Sequence, residues 1–124
     1  MQHDILIVDD EAPVWKALCA YFRRRGFAAR GVESARQVRL ELKQRRPSIV
    51  ILDLALGEED GLLLLEEIRT SDASLPVVIF TGLGFDNELI DEALKKGAAG
   101  YVTKGLSLDH LLMEVHRVLN IRRG

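Results

Sequence analysis

Residues 49–61 read Ile-Val-Ile-Leu-Asp-Leu-Ala-Leu-Gly-Glu-Glu-Asp-Gly. Four apolar residues, Ile49 to Leu52, stop abruptly at one carboxylate, Asp53. A short unbroken apolar run has the pattern of a strand buried on both faces, as in a parallel sheet. Asp53 then stands where that strand leaves the sheet, and in open α/β folds ligands and chemistry collect at this carboxyl edge. Asp53 is therefore the first candidate reactive residue.

The same alternation of strand and helix patterns extends in both directions. Upstream, Ile5 to Val8 is an apolar run ending at Asp9-Asp10-Glu11. Pro13 suits a first helical turn, where its missing N–H would lack a partner anyway. Val14, Trp15, Leu18 and Phe22 recur at helical spacing, with Gly26 placed to end the helix. Trp15 is expected to pack on the sheet. Phe27 to Val32 is a weaker strand that Arg30 and Gly31 mark as an edge. Ser34 is expected to cap a helix with Ala35, Val38 and Leu42 on one face, stopped by Arg45-Arg46-Pro47.

Downstream, Leu62, Leu65 and Ile68 give a helical stripe within a run of four leucines. Pro76 opens a strand, Val77 to Phe80, ending at Thr81-Gly82. Asp86 is the expected cap of a helix carrying Leu89, Ile90, Ala93 and Leu94, closed by Gly97. Gly100 to Thr103 is a brief fifth strand ending at Lys104. Ser107 is the expected cap of a last helix with Leu108, Leu111, Leu112, Val115, Val118 and Leu119 on its apolar side. Five strands alternating with five helices predict an α/β fold: a five-stranded parallel sheet of order 2-1-3-4-5 in a flavodoxin-like three-layer α/β/α sandwich.

With 124 residues, residues 1–124 are expected to form one domain, burying roughly two-thirds of the unfolded surface. The net charge of −2 gives no basic excess for nucleic acid or an anionic membrane. The small basic runs Arg23 to Arg25, Arg45-Arg46 and Arg122-Arg123 are expected to be solvated helix ends. Cys19 is the single cysteine, so no intrachain disulfide can form, as suits a reducing compartment. No apolar stretch reaches bilayer-spanning length, and Met1 to Asp4 lacks the pattern of a signal peptide. A cytoplasmic location is expected.

Parallel strands present all their carboxyl ends on one edge. That edge receives Asp9 and Asp10 from the first strand, Asp53 from the third, Thr81 from the fourth and Lys104 from the fifth. Taken singly, an Asp after a strand is commonly a turn or cap residue, and a lone Thr or Lys there means little. Together they place three carboxylates, a hydroxyl and an amine at one site. Like charges so close call for a cation, and hard oxygen ligands favour Mg²⁺. A carboxylate beside Mg²⁺ can attack a phosphoryl group, with Lys104, the Thr81 hydroxyl and backbone N–H groups around the transferred oxygens.

End to end, the chain resembles the receiver domain of bacterial two-component response regulators. The residues carrying the resemblance are Asp9-Asp10, Asp53, Asp60-Gly61, Thr81-Gly82, and Tyr101 three before Lys104. The resemblance implies that Asp53 accepts a phosphoryl group from a sensor histidine kinase or phosphotransfer protein. It implies that Asp9, Asp10, Asp53 and the backbone carbonyl of Ala55 bind Mg²⁺, and that Thr81 and Tyr101 switch inward. The surface made by the fourth helix, fifth strand and fifth helix would then change, which in this family serves dimerisation, including homodimers, or output. Kinase contacts would centre on Val14 to Phe22 and Gly105 to Ser107. The implied role is a signalling switch with self-catalysed phosphoryl transfer and slow autodephosphorylation, with no direct nucleic-acid binding. Asn120 to Gly124 read as a helix end running onward, as in a receiver belonging to a longer regulator.

Gly57 and Gly105 stand where the family usually has prolines. A non-proline cis bond costs ~3 kcal/mol, so a trans Lys104–Gly105 linkage and a less firmly held Lys104 are expected. Ala55 and Leu83, two beyond Asp53 and Thr81, are apolar and can neither orient water nor act as a base, which predicts a long-lived phosphoaspartate. Three rival readings are weaker. A Mg²⁺-dependent phosphohydrolase would carry Asp-x-Asp on its first strand and a cap domain. An unphosphorylated receiver-like interaction module would not need the full acidic set. A flavin site would want Gly, Ser or Thr where Asp9-Asp10-Glu11 stands.

Overall fold

The computed structural model describes residues 2–82 and 86–121. Its elements are β1 (Asp4–Val8), α1 (Ala12–Arg23), β2 (Ala28–Val32), α2 (Ala35–Gln44), β3 (Ile49–Leu52), β4 (Ala55–Leu56), β5 (Glu59–Asp60), α3 (Gly61–Ser71), β6 (Val77–Thr81), α4 (Asn87–Lys95), β7 (Gly100–Thr103) and α5 (Leu108–Leu119). The main sheet runs β2-β1-β3-β6-β7, all parallel. In terms of its principal strands this is the expected 2-1-3-4-5 order.

Side chains alternate across each strand, so the central apolar runs feed two cores. Leu6, Val8, Val50, Leu52 and Ile79 meet Val38, Leu64, Leu65, Ile68 and Ala93 from α2, α3 and α4. Ile5, Ile7, Ile49, Ile51 and Val78 meet Leu18, Phe22, Leu111 and Val115 from α1 and α5. Both faces of the sheet are thus covered, as strands apolar throughout require. Cys19 is buried in the second core, and that burial pushes its thiol pKa up against the opposing charge of Arg23. No described helix is long and apolar enough to cross a membrane.

Helix starts follow the polar residues before them. Ser34 accepts from the Gln37 N–H at 3.2 Å, Asp60 from Leu62 and Leu63, and Asp86 from Glu88 and Leu89. Ser107 occupies the cap position of α5 but makes no side-chain cap bond; its hydroxyl pairs instead with His110 Nδ1 at 3.0 Å. The expected stripe on α3 is present, with Leu64 added to it. Gly61, Leu64, Leu65 and Ile68 are buried, Leu62 is half-buried and Leu63 is 62% exposed. Within the run of four leucines, Leu63 is the one turned to solvent. Phe27 precedes β2 and packs edge-on against Phe22. Trp15 lies on the sheet as expected: its ring occupies the space where a Cβ on Gly31 would stand, and its indole N–H donates to Glu33 at 2.8 Å.

An antiparallel ribbon, β4 with β5, interrupts the expected alternation directly after Asp53. Leu56 pairs with Glu59 and Ala55 with Asp60. At its base Gly61 meets the Leu54 backbone so closely that a Cβ would lie 2.5 Å from both Leu54 Cα and its carbonyl oxygen. Neither atom can yield without moving the chain next to Asp53. Gly61→Ala is expected to cost about 3 kcal/mol, the upper end for overpacking a well-filled site, read as a lower urea midpoint with unchanged m. A midpoint equal to wild type contradicts this.

Candidate functional site

Strand register delivers the acidic residues to one place. Val8 and Leu52 are paired neighbours, and the ladder continues past them: the Asp53 N–H donates to the Val8 carbonyl at 3.0 Å, and the Asp9 N–H to Val32 at 3.1 Å. Asp9 and Asp53 therefore leave adjacent strands side by side, 2% and 5% exposed. On the other flank Thr81 pairs with Thr103, and the Lys104 N–H donates to the Thr81 carbonyl at 2.9 Å.

Both oxygens of Asp53 are engaged. Oδ1 accepts from Thr81 Oγ1 at 2.7 Å and from the Ala55 N–H at 3.0 Å. Oδ2 accepts from Lys104 Nζ at 2.8 Å, and the same ammonium reaches Asp9 Oδ2 at 2.8 Å. Asp9 Oδ1 accepts from the Glu11 N–H at 2.9 Å. Asp10 stands exposed on the rim, and oxygens of Asp9, Asp10 and Asp53 all lie within 4.8 Å of one another. An open pocket of about 430 Å³ faces this cluster, lined by Asp10, Glu11, Asp53, Ala55, Gly57, Gly82 and Lys104.

Electrostatics set the character of the pocket. Burial alone would lower the Lys104 pKa, but hydrogen bonds to Asp53 and Asp9, with their charges, outweigh it and hold the ammonium above its ordinary value. One ammonium among three carboxylates leaves the pocket negative, and its donors are hard oxygens, one of them on the open rim. The residues present fit a hard divalent cation such as Mg²⁺.

The structure thus brings together Asp9, Asp10, Asp53, Thr81, Lys104 and the amide of Ala55. Tyr101 lies apart from the acidic cluster, on β7 beside Ile79. Its half-buried ring packs on the core beneath α4, and its buried hydroxyl has no hydrogen-bond partner among the described residues. Burial, followed by the charges of Asp86 and Asp53, pushes its phenol pKa up. Leu83 and Arg122-Arg123 lie outside the described residues.

Two expectations about the glycines at usual proline positions are sharpened. The described chain contains no cis peptide bond, so Lys104–Gly105 is trans as expected. Lys104 is nonetheless held at both ends, by its backbone N–H on Thr81 and its ammonium on two carboxylates. Gly57 has φ +63° and is the first of two residues linking β4 to β5, as a type II′ hairpin requires. Proline, fixed near φ −65°, cannot take this position. Gly57→Pro is expected to open the hairpin and weaken Mg²⁺ binding several-fold by calorimetry. Unchanged affinity contradicts that. A Gly-X pair between Leu56 and Glu59 was the available signal for this turn, but two-residue strands carry no hydrophobic period to support it.

A doubly wound parallel sheet with a metal-competent acidic cluster at its carboxyl edge defines the class to which the molecule belongs. Residues 5–116 match the model of the response regulator receiver domain. The chain is 34% identical over 125 residues to the nitrogen assimilation regulatory protein NtrX of Azorhizobium caulinodans, covering 99% of this chain and 27% of that protein. It is 32% identical over 121 residues to the virulence transcriptional regulatory protein PhoP of Salmonella typhimurium, covering 97% and 53%. Among solved structures, NtrX from Brucella abortus superposes with a TM-score of 0.89 at 32% identity, covering 97% of this chain and 27% of that one. The chain therefore spans about a quarter to a half of the length of these relatives. It belongs to the family of response regulator receiver domains. As such it is a signalling domain of two-component systems, a family whose function implies interaction with histidine kinases or other phosphodonors.

Proposed function

We propose that this receiver domain is switched by phosphorylation of Asp53, using Mg²⁺ held by Asp9, Asp10, Asp53 and the carbonyl of Ala55. The observation that carries this reading is the double engagement of the Asp53 carboxylate, by Thr81 Oγ1 at 2.7 Å and Lys104 Nζ at 2.8 Å. A hydroxyl and an ammonium stand beside the oxygens that would attack, ready to meet the charge of an arriving phosphoryl group.

In the reaction an Asp53 oxygen forms a bond to phosphorus while the bond from phosphorus to the donor breaks. The departing imidazole or carboxylate keeps that electron pair. When bound, Mg²⁺ supplies positive charge against the transferred oxygens and relieves repulsion among the carboxylates. Lys104 turns its ammonium to one transferred oxygen and Thr81 its hydroxyl to another. The Ala55 N–H steadies the carboxylate during attack. Thr81 and Tyr101 then carry the change to the surface of α4, β7 and α5, which serves dimerisation or output.

The donor is a sensor histidine kinase or phosphotransfer protein in the cytoplasm, meeting the domain around Val14 to Phe22 and Gly105 to Ser107. No base lies among the described residues two beyond Asp53, where Ala55 stands, so loss of the phosphoryl group is slow. Its half-time in Mg²⁺ buffer is expected to be minutes or longer, and loss within seconds, read by intact mass, contradicts this.

Beryllofluoride with Mg²⁺ mimics the phosphorylated carboxylate and tests the switch. Amide resonances around Thr81, Tyr101 and α4 are expected to shift at stoichiometric ligand. A spectrum unchanged there would instead identify an interaction module that is not regulated by phosphorylation.

A further inference from the structure

The hairpin after Asp53 makes a contact that the acceptor chemistry does not itself require. Glu59, on β5, receives the Ala35 N–H on its carboxylate, with Oε1 at 3.2 Å and Oε2 at 3.3 Å. Ala35 is the first residue of α2, so its N–H has no partner inside the helix, and a carboxylate is favoured at that end. Ser34 takes the Gln37 N–H. The start of α2 is therefore capped partly from within and partly by the loop that follows the acceptor.

That loop is anchored on the side of Asp53 and α3 and enters the core that Ala35 and Val38 of α2 also enter. Leu54 and Leu56 are buried in the core, Leu54 lies against Gly61, and Asp60 caps α3. Glu59 adds a polar tie to α2 through the Ala35 N–H. Its strand partner is Leu56, the neighbour of Ala55, whose N–H meets Asp53 Oδ1 at 3.0 Å. The side chain thus bridges from α2 to the strand that presents Ala55. Its other hairpin neighbour, Glu58, is exposed.

We propose that Glu59 is a positioning residue for the acceptor: by holding the β4–β5 hairpin against the start of α2, it sets the approach of Ala55 to Asp53 and couples Asp53 to α2. This rests on Asp53 being the phosphoacceptor. Because coupling is reciprocal, a change at the Asp53 carboxylate is felt at Ala35 as well, and α2 becomes a second surface that reports the state of the site.

The test measures the initial rate of labelling by acetyl phosphate with Mg²⁺, the Mg²⁺ affinity, and the amide shifts of residues 35–37 on adding beryllofluoride. Glu59→Ala is expected to slow labelling and weaken Mg²⁺ binding, each several-fold, through the displaced Ala55. Its α2 amides no longer respond. Glu59→Gln keeps an acceptor oxygen and recovers most of the rate, while Glu58→Ala matches wild type. Ala35→Pro removes the donor at a position where helices accept proline, after Ser34 in an extended conformation. It should slow labelling as Glu59→Ala does, and the double variant should be no slower than either single one. Rates are compared well below each melting temperature, so a lowered stability alone would leave them unchanged. Wild-type rates in Glu59→Ala, or additive losses in the double variant, overturn the proposal while leaving the acceptor reading intact. Failure of wild type to label overturns both.

Discussion

Asp53→Asn is expected to reduce labelling by acetyl phosphate from near-stoichiometric to background, the largest effect of any single change in this molecule. The amide has nearly the shape of the carboxylate, and its one oxygen can still accept from Thr81 at 2.7 Å and Ala55 at 3.0 Å, while its NH2 group cannot accept from Lys104, which keeps its 2.8 Å bond to Asp9. Folding should therefore survive, and the variant should melt close to wild type. What disappears is the anionic nucleophile: a neutral amide attacks phosphorus poorly and contributes one ligand charge fewer. The variant thus separates chemistry from architecture. Retained labelling would move the acceptor elsewhere, with Asp9 and Asp10 the nearest carboxylates.

Lys104→Ala is expected to change two measurements in opposite directions. The ammonium stands 2.8 Å from both Asp9 and Asp53 and is the cation that these buried carboxylates share within the chain. Removing it takes a positive charge away from the cation site, so Mg²⁺ should bind several-fold more tightly. It also removes the ammonium that, in the proposed reaction, meets the transferred phosphoryl group. Losing one such preorganised donor typically costs on the order of 10² to 10³ in rate, and that is the expected fall in labelling. Without Mg²⁺, the two carboxylates face each other with no neutralising partner, and the variant should melt well below wild type. Divalent cation should restore much of that difference. A slower rate accompanied by weaker Mg²⁺ binding would mean that Lys104 supports the loop rather than the reaction.

Much of this site is legible in the sequence because parallel strands share a direction. Once Ile5 to Val8, Ile49 to Leu52 and Val77 to Phe80 read as buried strands, the residues after them must meet at one edge. The structure brings Asp9, Asp53 and Thr81 there. Caps were equally readable where a side chain has one nearby use, as at Ser34 and Asp86. Ser107 was not, because its hydroxyl has a competing partner in His110.

What stayed hidden depends on tertiary placement. The β4–β5 ribbon consists of two two-residue strands in an acidic stretch, too short for any period to register. Gly57 looked like a missing proline, whereas its positive φ makes it the residue that closes a hairpin. The bond between Glu59 and Ala35 joins residues 24 apart, and neither carries a motif. The double contact of Lys104 depends on where β7 ends relative to β1 and β3, which strand order alone does not give. In α3 the stripe of Leu62, Leu65 and Ile68 was legible, whereas the burial of Leu64 and exposure of Leu63 were not, since identical residues carry no contrast.

The central claim is that Asp53 carries the phosphoryl group, and the most direct measurement locates the acyl phosphate chemically. Protein labelled by acetyl phosphate with Mg²⁺ is reduced with borohydride, which converts a phosphorylated aspartate to homoserine, and then digested and sequenced by tandem mass spectrometry. Homoserine at residue 53, present only in labelled protein and absent when Mg²⁺ is chelated, is the predicted result. Homoserine at Asp9 or Asp10, or labelled protein with aspartate intact at position 53, would contradict it.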